Sequence, residues 1–339
     1  MTPQRITIAD IAARAGTSAS TVSKVLNGRP GVGNEKRDQI LALLDGTRYK
    51  RRGAGRRSQS GLIDIVFADI HGLWSARLLY GAETAASRFG VALVVSSVHS
   101  RTLGNRHWVE KFKERCSVGL VVVATRLRPE LSSELRRLRA PYVFLDPLGA
   151  VPEDVPVISC TNFAGARDAT QHLVDLGHRR IALITGPADL LYSQERLDGY
   201  RVTLDRANLP YGPDYVRFGA MNEESGCRLG AELLDLPEPP TAIFAGSDLH
   251  AHGVYEAAAD RGLVIPDDLS VVGFDNLPSG KWSSPKLTTV DQPLEDMGAL
   301  AIQTLLVAAR QDVGQTGQRF ELATTLVVRQ STAPPRSSR

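Results

Sequence analysis

The 339-residue sequence predicts an α/β protein in two parts, a small helical head at the N-terminus and a larger body of parallel, doubly wound β-sheets. Three observations lead to this prediction. Basic residues are concentrated at the start of the chain, apolar residues there recur at helical spacing, and β-rich runs alternate with helical patterns afterwards. Because 42% of the residues are hydrophobic and 23% are charged, the composition excludes a disordered or low-complexity chain.

Charge divides the chain at residue 60. Residues 1–60 contain twelve Lys or Arg and four Asp or Glu, a formal charge of +8, whereas the remainder carries 28 basic and 33 acidic residues, a charge of −5. A basic head on a mildly acidic body is typical of a protein whose head binds a polyanion. The densest basic segment, Arg48–Arg57, has six basic residues and no acid, and its charge alone is equally compatible with a solvated linker.

The chain shows no recognisable targeting segment. No apolar run approaches the roughly 18 residues that cross a bilayer, and the N-terminus lacks an apolar signal core, so we expect a cytoplasmic protein. The three cysteines, Cys116, Cys160 and Cys227, are widely spaced and form neither a CxxC pair nor a metal frame. We therefore expect buried free thiols in a reducing compartment.

Three short helices are predicted in the head. Thr7 and Asp10 form a capping box for the first, which ends at Gly16, while Ser18 and Asn34 are expected to cap the second and third. The apolar faces comprise Ile8, Ile11, Ala12 and Ala15, then Val22, Val25 and Leu26, then Ile40, Leu41 and Leu44. A tight glycine turn between the first two helices predicts a helix-turn-helix.

The second helix of such a pair enters the major groove of DNA by its N-terminal end. Its outward residues are small, polar or basic, as contacts to base edges and phosphates require: Ala19, Ser20, Thr21, Ser23 and Lys24. The head therefore favours double-stranded DNA as the polyanion.

From residue 61 onward, strand and helix patterns alternate in two successive series. The predicted strands are 62–67, 91–96, 118–124, 142–146, 181–186, 241–245 and 270–274, and the predicted helices are 76–89, 108–116, 130–138, 162–176 and 195–206. Such alternation predicts parallel sheets covered by helices, and two series predict two similar lobes. In such sheets a ligand binds beyond the carboxyl ends of the strands, which places the expected site in the cleft between the lobes.

Two stretches of the head, Ile8–Gly16 and Ser20–Gly28, resemble the DNA-binding head of the lactose-repressor (LacI/GalR) family of bacterial transcription regulators. Blocks in the body are similar to the effector domain of that family: Leu176–Ile181, Arg196–Tyr200, Pro240–Ala245, Ser270–Asp275 and Leu287–Val290. The resemblance implies a two-lobed fold like that of periplasmic sugar-binding proteins, in which the chain crosses between the lobes three times.

The resemblance also implies domain boundaries. We expect a helix-turn-helix head at 1–48, a basic linker at 49–60 and an effector domain at 61–339, with one lobe formed by 61–160 and 291–318 and the other by 161–290 and 319–339. Accordingly, the helix at 294–310 should return to the first lobe, and a final strand at 325–329 should join the second.

The same resemblance assigns contacts to DNA. It implies that Ala19, Ser20 and Lys24 occupy base-reading positions of the second helix, and that Thr21 and Ser23 contact the DNA backbone. Further expected DNA contacts are Thr7, Ser18 and Asn27 in the head and Arg51, Arg52, Arg56 and Arg57 in the linker.

The linker departs from the family pattern. After the residue matching Tyr49, the family usually has Pro-Asn and then a small-Arg-Ser-Leu segment, which forms a hinge helix on DNA and wedges its Leu into the minor groove. Here the Pro, Asn and Leu are absent, Gly53 and Gly55 have entered, and only Arg56 matches. We therefore expect a flexible basic arm rather than a stable hinge helix.

The segment 331–339 lacks the leucine heptad repeats of a coiled coil that could join two dimers. We therefore expect no tetramer formed through this segment.

Neutral sugars are bound by planar side chains that pair with vicinal hydroxyls and by an aromatic ring against the apolar sugar face. The resemblance places six residues at the effector site: Trp74, Asp146, Arg196, Met221, Ser247 and Asp275. Trp282 is a seventh candidate, as a further aromatic ring. Ordinary structural roles are the alternative. The aspartates would then cap helices, Arg196 would form a surface ion pair, and Trp282 would pack against Pro285.

The sequence thus predicts a homodimeric repressor with no cofactor, whose effector is a mono- or oligosaccharide, with a nucleoside or purine as the alternative. An enzyme is a distant alternative because Ser247–His252 brings together Ser, Asp and His. However, Leu249 stands where the G-x-S-x-G nucleophile turn requires its second glycine. The sequence also contains neither the HExxH zinc motif nor the GxxxxGK[ST] phosphate-binding loop. Whether the effector releases or promotes DNA binding stays open.

Overall fold

The computed structural model describes residues 8–26, 31–46, 61–70, 72–99, 102–103, 107–127, 129–138, 140–310 and 317–336. The chain divides into two compact units, Met1–Ser58 and Gln59–Arg339. None of the helices among these residues is both long and apolar enough to cross a membrane.

The first unit contains three helices, α1 (Ile8–Arg14), α2 (Ala19–Leu26) and α3 (Asn34–Gly46). Their apolar faces meet in a core whose members are each at most 5% exposed: Ile11, Ala12, Ala15, Val22, Val25 and Ile40. The helix-turn-helix expected from the spacing of apolar residues is therefore confirmed.

Local hydrogen bonds fix the turn between α1 and α2. Gly16 adopts φ +59°, a left-handed conformation that favours glycine. Oγ of Ser18 accepts the backbone N–H of Thr21 at 3.2 Å, so Ser18 caps α2 as predicted. Nζ of Lys36 in α3 donates to the carbonyl of Ala15 at 2.9 Å, which ties the third helix to the end of the first.

Two details of the head differ from the prediction. Leu41 is 44% exposed, because α3 turns it away from the core that buries Ile40. The backbone N–H of Arg37 donates to the carbonyl of Gly33 at 2.9 Å, so Gly33 rather than Asn34 occupies the cap position of α3. The expected capping role of Thr7 lies outside the described residues.

The second unit, the body, alternates strands and helices. Its first half contains β1 (Leu62–Phe67), α4 (Gly72–Arg88), β2 (Ala92–Ser97), β3 (Thr102–Leu103), α5 (His107–Arg115), β4 (Gly119–Val123), β5 (Arg126–Leu127), α6 (Pro129–Arg137), β6 (Tyr142–Leu145) and β7 (Val157–Cys160). Its second half contains α7 (Asn162–Asp175), β8 (Ile181–Thr185), α8 (Leu191–Arg206), β9 (Val216–Phe218), α9 (Glu223–Leu234), β10 (Ala242–Ala245), α10 (Asp248–Ala259), β11 (Ser270–Asp275), α11 (Ser279–Trp282), β12 (Thr288–Asp291), α12 (Leu294–Arg310), β13 (Arg319–Leu322) and β14 (Thr325–Val327).

Twelve of these strands form two six-stranded sheets, and β3 and β5 pair separately, which confirms the predicted α/β fold class. The first has the order β13-β7-β6-β4-β1-β2 and is parallel throughout, with Ile65 of β1 opposite both Val95 of β2 and Val121 of β4. The second has the order β14-β12-β11-β10-β8-β9 and is parallel except for β14. Every residue of β4, β8 and β11 is buried, because helices cover both faces of a parallel sheet.

The chain crosses between the sheets three times, after β7, after β12 and after β13. As expected, α12 returns to the first sheet, where Leu294, Met297 and Ile302 join its core, and β14 pairs with β12 in the second sheet. The last crossing falls after Leu322 rather than at 318, because β13 pairs in parallel with β7.

Several elements of the body were not predicted, among them β7, β9, α9, α10 and β12. The reason is clearest for α10. Its buried face includes Asp248 and His250 as well as Val254, so polar residues interrupt the apolar periodicity from which a helix is predicted. The strand β9 has only three residues, too few to show alternation.

The contact between α4 and α12 gives a test of the packing. Gly81 of α4 lies against α12, and a Cβ at this position would overlap the carbonyl oxygen of Glu295. Gly81→Ala should lower the free energy of unfolding by about 1–3 kcal/mol, although alanine has the higher helix propensity. Urea unfolding measures this, with Gly212→Ala as control, since a Cβ there meets no atom closer than 3.9 Å. Wild-type stability of Gly81→Ala would contradict the close approach of the helices.

Candidate functional site

A cavity of about 400 Å³ lies where loops at the carboxyl ends of strands from both sheets meet. Six of the seven residues predicted for the effector site line it: Trp74, Asp146, Arg196, Met221, Ser247 and Asp275. The seventh, Trp282, ends α11, is 74% exposed and is not among the lining residues. That exposure also argues against a packed structural role for Trp282.

Arg196 is the most enclosed charge of the cleft, with 2% of its surface exposed. It lies on the inner face of α8, where Nε donates to Oδ1 of Asn162 at 3.0 Å and Nη1 donates to the carbonyl of Gly246. The guanidinium carbon lies 3.7 Å from the ring centroid of Phe274, a cation–π arrangement. Arg196 is therefore not the surface ion pair considered as its alternative.

One edge of the guanidinium faces Asp275. Nη2 of Arg196 lies 4.0 Å from Oδ1 of Asp275, which is an ion-pair distance but too long for a direct hydrogen bond. A ligand hydroxyl can therefore accept from Arg196 and donate to Asp275. One hydroxyl of a ligand would in this way join the two side chains through charge-assisted hydrogen bonds.

Asp146 and Asp275 occupy matching places in the two lobes. Asp146 directly follows β6, Asp275 ends β11, and both have positive φ, +49° and +110°. Burial raises the pKa of Asp146 to about 6, with Arg196 acting in the opposite sense. Burial also raises the pKa of Asp275 well above its usual range, opposed by Arg196 and reinforced by Asp248 and Asp146. The ionised form of either carboxyl accepts hydrogen bonds, and the protonated form can also donate one.

The indole of Trp74, on one side of the cleft, is hydrogen-bonded to the side-chain amide of Gln292. Nε1 of Trp74 donates to Oε1 of Gln292 at 2.9 Å, and both residues line the cavity. Gln292 follows β12 and was not predicted as a site residue. Tyr192, another lining residue that was not predicted, lies one helical turn before Arg196, with the guanidinium carbon 5.2 Å from its ring centroid. The one sequence signal for Tyr192 is this i, i+4 spacing on α8.

Ser247 lines the cleft and also caps α10, since its Oγ accepts the backbone N–H of His250 at 3.0 Å. Nε2 of His250 donates to the carbonyl of Ala220 at 2.6 Å, and burial lowers the pKa of His250 to about 4. Asp248 accepts from Leu277 N–H and from the Thr289 hydroxyl. These partners differ from those of a Ser/His/Asp triad, in which the aspartate orients the histidine and the histidine contacts the serine.

The candidate DNA-contacting face lies on α2. Ala19, Ser20 and Lys24 are exposed there, and Oγ of Ser18 lies 2.7 Å from Oγ of Ser20 and 2.9 Å from Oγ1 of Thr21. The hydroxyls thus form a linked polar cluster at the start of the helix. The remaining predicted contacts lie outside the described residues or side chains: Thr7, Ser23, Asn27, Arg51, Arg52, Arg56 and Arg57.

Comparisons with known proteins agree with this architecture. The family model for bacterial regulatory proteins of the lacI family matches residues 7–51, and that for the periplasmic binding protein-like domain matches residues 170–332. The ribose operon repressor of Halalkalibacterium halodurans is 32% identical over 332 residues, 96% of this chain and 97% of the relative.

Two solved structures are similar over nearly the whole chain. The transcriptional regulator CelR in complex with cellobiose superposes with a TM-score of 0.73 at 29% identity, covering 96% of this chain and 100% of that one. The lac repressor dimer bound to operator and an anti-inducer superposes with a TM-score of 0.71 at 26% identity, covering 97% and 100%.

A helix-turn-helix unit joined to a two-lobed body with a polar cleft defines a DNA-binding transcription regulator. The chain belongs to the LacI family of bacterial regulatory proteins. Its relatives are transcriptional repressors rather than enzymes.

The raised pKa of Asp146 predicts that the free energy of unfolding depends on pH. The native state disfavours the ionised carboxyl, so wild-type stability should fall as pH rises from about 4 through about 6. Asp146→Asn removes the charge, and its unfolding free energy relative to wild type should rise by about 2–3 kcal/mol between pH 4 and pH 8. Urea unfolding across this range measures the difference. The control is Asp198→Asn at an exposed position of α8, and an equal rise there would indicate a general charge effect.

Proposed function

We propose that this regulator is a repressor that binds a pseudo-palindromic operator as a homodimer and takes a mono- or oligosaccharide effector between its lobes. The observation that carries the effector assignment is the buried pair of Arg196 and Asp275, set 4.0 Å apart in a cleft that Trp74 also lines. Operator DNA is chromosomal, so we place the protein in the cytoplasm.

A hydroxyl-rich ligand suits the chemistry of the cleft. The guanidinium of Arg196 offers donors, the carboxyls of Asp146 and Asp275 offer acceptors, and Trp74 offers an apolar face. The cellobiose complex of the similar regulator CelR supports the same ligand class. A nucleoside or purine is the second candidate, since Trp74 and Tyr192 both line the cleft and could stack on a base.

The homodimer follows from the symmetry of recognition. A helix-turn-helix head reads one half-site, so two heads related by a two-fold axis match a palindrome. The similarity to an operator-bound lac repressor dimer supports this arrangement. An effector that prefers one arrangement of the dimer shifts operator affinity by its differential binding energy, typically about 1–3 kcal/mol.

DNA recognition by α2 predicts the effect of Lys24→Ala. Lys24 is exposed on α2, and its loss should weaken binding to an operator selected from a random DNA pool by about 1–3 kcal/mol if Lys24 reads a base. Affinity should also fall steeply with salt as counterions are released. Lys111→Ala removes the same charge from the body and is the control. Equal operator affinities of the two variants would contradict the assignment of α2.

The effector site predicts different outcomes for two tryptophans. A thermal-shift screen of saccharides, nucleosides and purines first identifies a ligand. Trp74→Ala should weaken that ligand about ten-fold or more, because Trp74 lines the cleft, whereas exposed Trp282→Ala should leave affinity unchanged. Asp275→Asn, nearly isosteric, should also weaken binding by removing the carboxylate acceptor. Calorimetry measures each affinity, and equal losses at both tryptophans would refute the cleft assignment.

A further inference from the structure

Asp275 reaches the cleft from a loop in an unusual backbone conformation. Asp275 and the following Asn276 have φ values of +110° and +50°, in the left-handed region that non-glycine residues seldom adopt. Two such residues in succession persist only where the surrounding structure holds them, and such positions cluster at functional sites.

Four side chains of the second lobe hold this loop. Oγ1 of Thr289 accepts the backbone N–H of Asn276 at 3.3 Å, and Oδ1 of Asp291 accepts the side-chain amide of Asn276 at 2.8 Å. A carboxylate oxygen of Asp248 accepts the backbone N–H of Leu277 at 2.6 Å. A guanidinium nitrogen of Arg329, beyond β14, donates to the side-chain oxygen of Asn276. These four side chains bond the N–H groups and the side chain of residues 276 and 277, and none of these bonds is to the carbonyl oxygen of Asp275 or Asn276.

The first lobe supplies a further restraint, on the carbonyl oxygens of the loop. Arg77 lies on α4, and its Nη1 lies 3.2 Å from the carbonyl oxygen of Asp275 and 3.2 Å from that of Asn276. The same guanidinium lies 3.6 Å from Asp291 and 3.5 Å from Glu295. Arg77 thus bonds both carbonyls of the two residues in left-handed conformation, from an element of the opposite lobe.

We propose that Arg77 is a positioning residue of the effector site, which holds the Asp275–Asn276 backbone so that the Asp275 carboxyl faces the cleft. Trp74 lies three residues before Arg77 on α4, so one helix both lines the cleft and clamps the loop of the facing lobe. The clamp makes the orientation of a second-lobe ligand residue depend on the placement of a first-lobe helix. This inference rests on the saccharide site proposed above.

The clamp also acts on the charge of Asp275. Four charged groups face that carboxyl: Arg196 from α8, Asp248 from α10, Asp146 after β6 and Arg77 from α4. The two guanidiniums lower the pKa of Asp275, while burial and the two aspartates raise it. Removing Arg77 therefore raises the pKa of Asp275 further, and effector affinity that depends on the carboxylate is lost at a higher pH.

Three variants of the full-length protein separate positioning from general stability. Arg77→Met keeps the aliphatic stem and removes the donors, Arg77→Lys keeps the charge, and Glu295→Gln removes only the exposed ion-pair partner. With cellobiose as the first probe, or whichever saccharide the screen selects, calorimetry between pH 5 and pH 9 should show about ten-fold weaker binding for Arg77→Met. Its loss of affinity on acidification should begin at higher pH. Arg77→Lys should recover part of the affinity, and Glu295→Gln should stay within about two-fold of wild type.

A second readout needs no ligand. Carboxyl ¹³C NMR, with Asp275→Asn to assign the signal, should show a raised Asp275 pKa in Arg77→Met and a smaller rise in Arg77→Lys. A crystal structure of Arg77→Met should show Asp275 or Asn276 relaxed from positive φ. Unchanged titration with unchanged loop geometry would overturn the clamp, as would equal affinity losses in Arg77→Met and Glu295→Gln. If no saccharide binds the wild-type protein, the proposed effector class fails, and the NMR and crystal readouts still decide the role of Arg77.

Discussion

The buried guanidinium of Arg196 is the constraint on which the architecture of the cleft depends. A charge with 2% of its surface exposed is tolerated only when its hydrogen-bonding groups and its charge are satisfied. Arg196 therefore requires Asn162 at the start of α7, the Gly246 carbonyl after β10 and Asp275 at the end of β11 to lie around it. These partners come from separate elements of the second lobe, so the satisfaction of one side chain fixes the relative positions of the loops that form the floor of the cleft.

The carboxyls around Arg196 give the cleft its chemical character. Burial raises the pKa of Asp146, Asp248 and Asp275, and the charges of Asp248 and Asp146 raise the pKa of Asp275 further. Because the cleft combines a guanidinium with carboxyl groups, it suits a ligand with neutral hydroxyl groups better than a strongly charged ligand. The indole of Trp74, fixed by its hydrogen bond to Gln292, complements these polar groups with an apolar surface.

Contacts between the lobes connect ligand recognition to the rest of the body. Besides Arg77, the Arg126 side chain in β5 of the first lobe pairs with Asp189, before α8 of the second lobe, at 2.8 Å. The helix that carries Arg77 packs against α12 through the close approach at Gly81, so α4 has little freedom to adjust independently. Because packed helices shift as units, a ligand that draws the lobes together acts on α4 and α12 together.

The sequence by itself determined the helical head and the fold class, and its family resemblance predicted most of the residues that line the cleft. Helical spacing of apolar residues gave Ile11, Val22 and Ile40 as a core, because a small helical unit has a single face to bury. Alternating patterns predicted parallel sheets, and the family resemblance predicted Asp146 and Asp275, which lie at strand ends, and Arg196, which lies on α8. Residues at strand ends in such sheets converge whatever lies between them in the chain.

Only the tertiary structure decided which of two tryptophans faces the cleft, and which residues support the ligand-contacting ones. Both tryptophans were candidates from the sequence, but Trp74 lines the cleft, whereas Trp282 is 74% exposed and does not. Arg77 meets the Asp275 carbonyl across 198 positions of sequence, and Trp74 meets Gln292 across 218. Such contacts leave no periodic trace in a single chain, because they depend on how two independently patterned lobes are placed against each other.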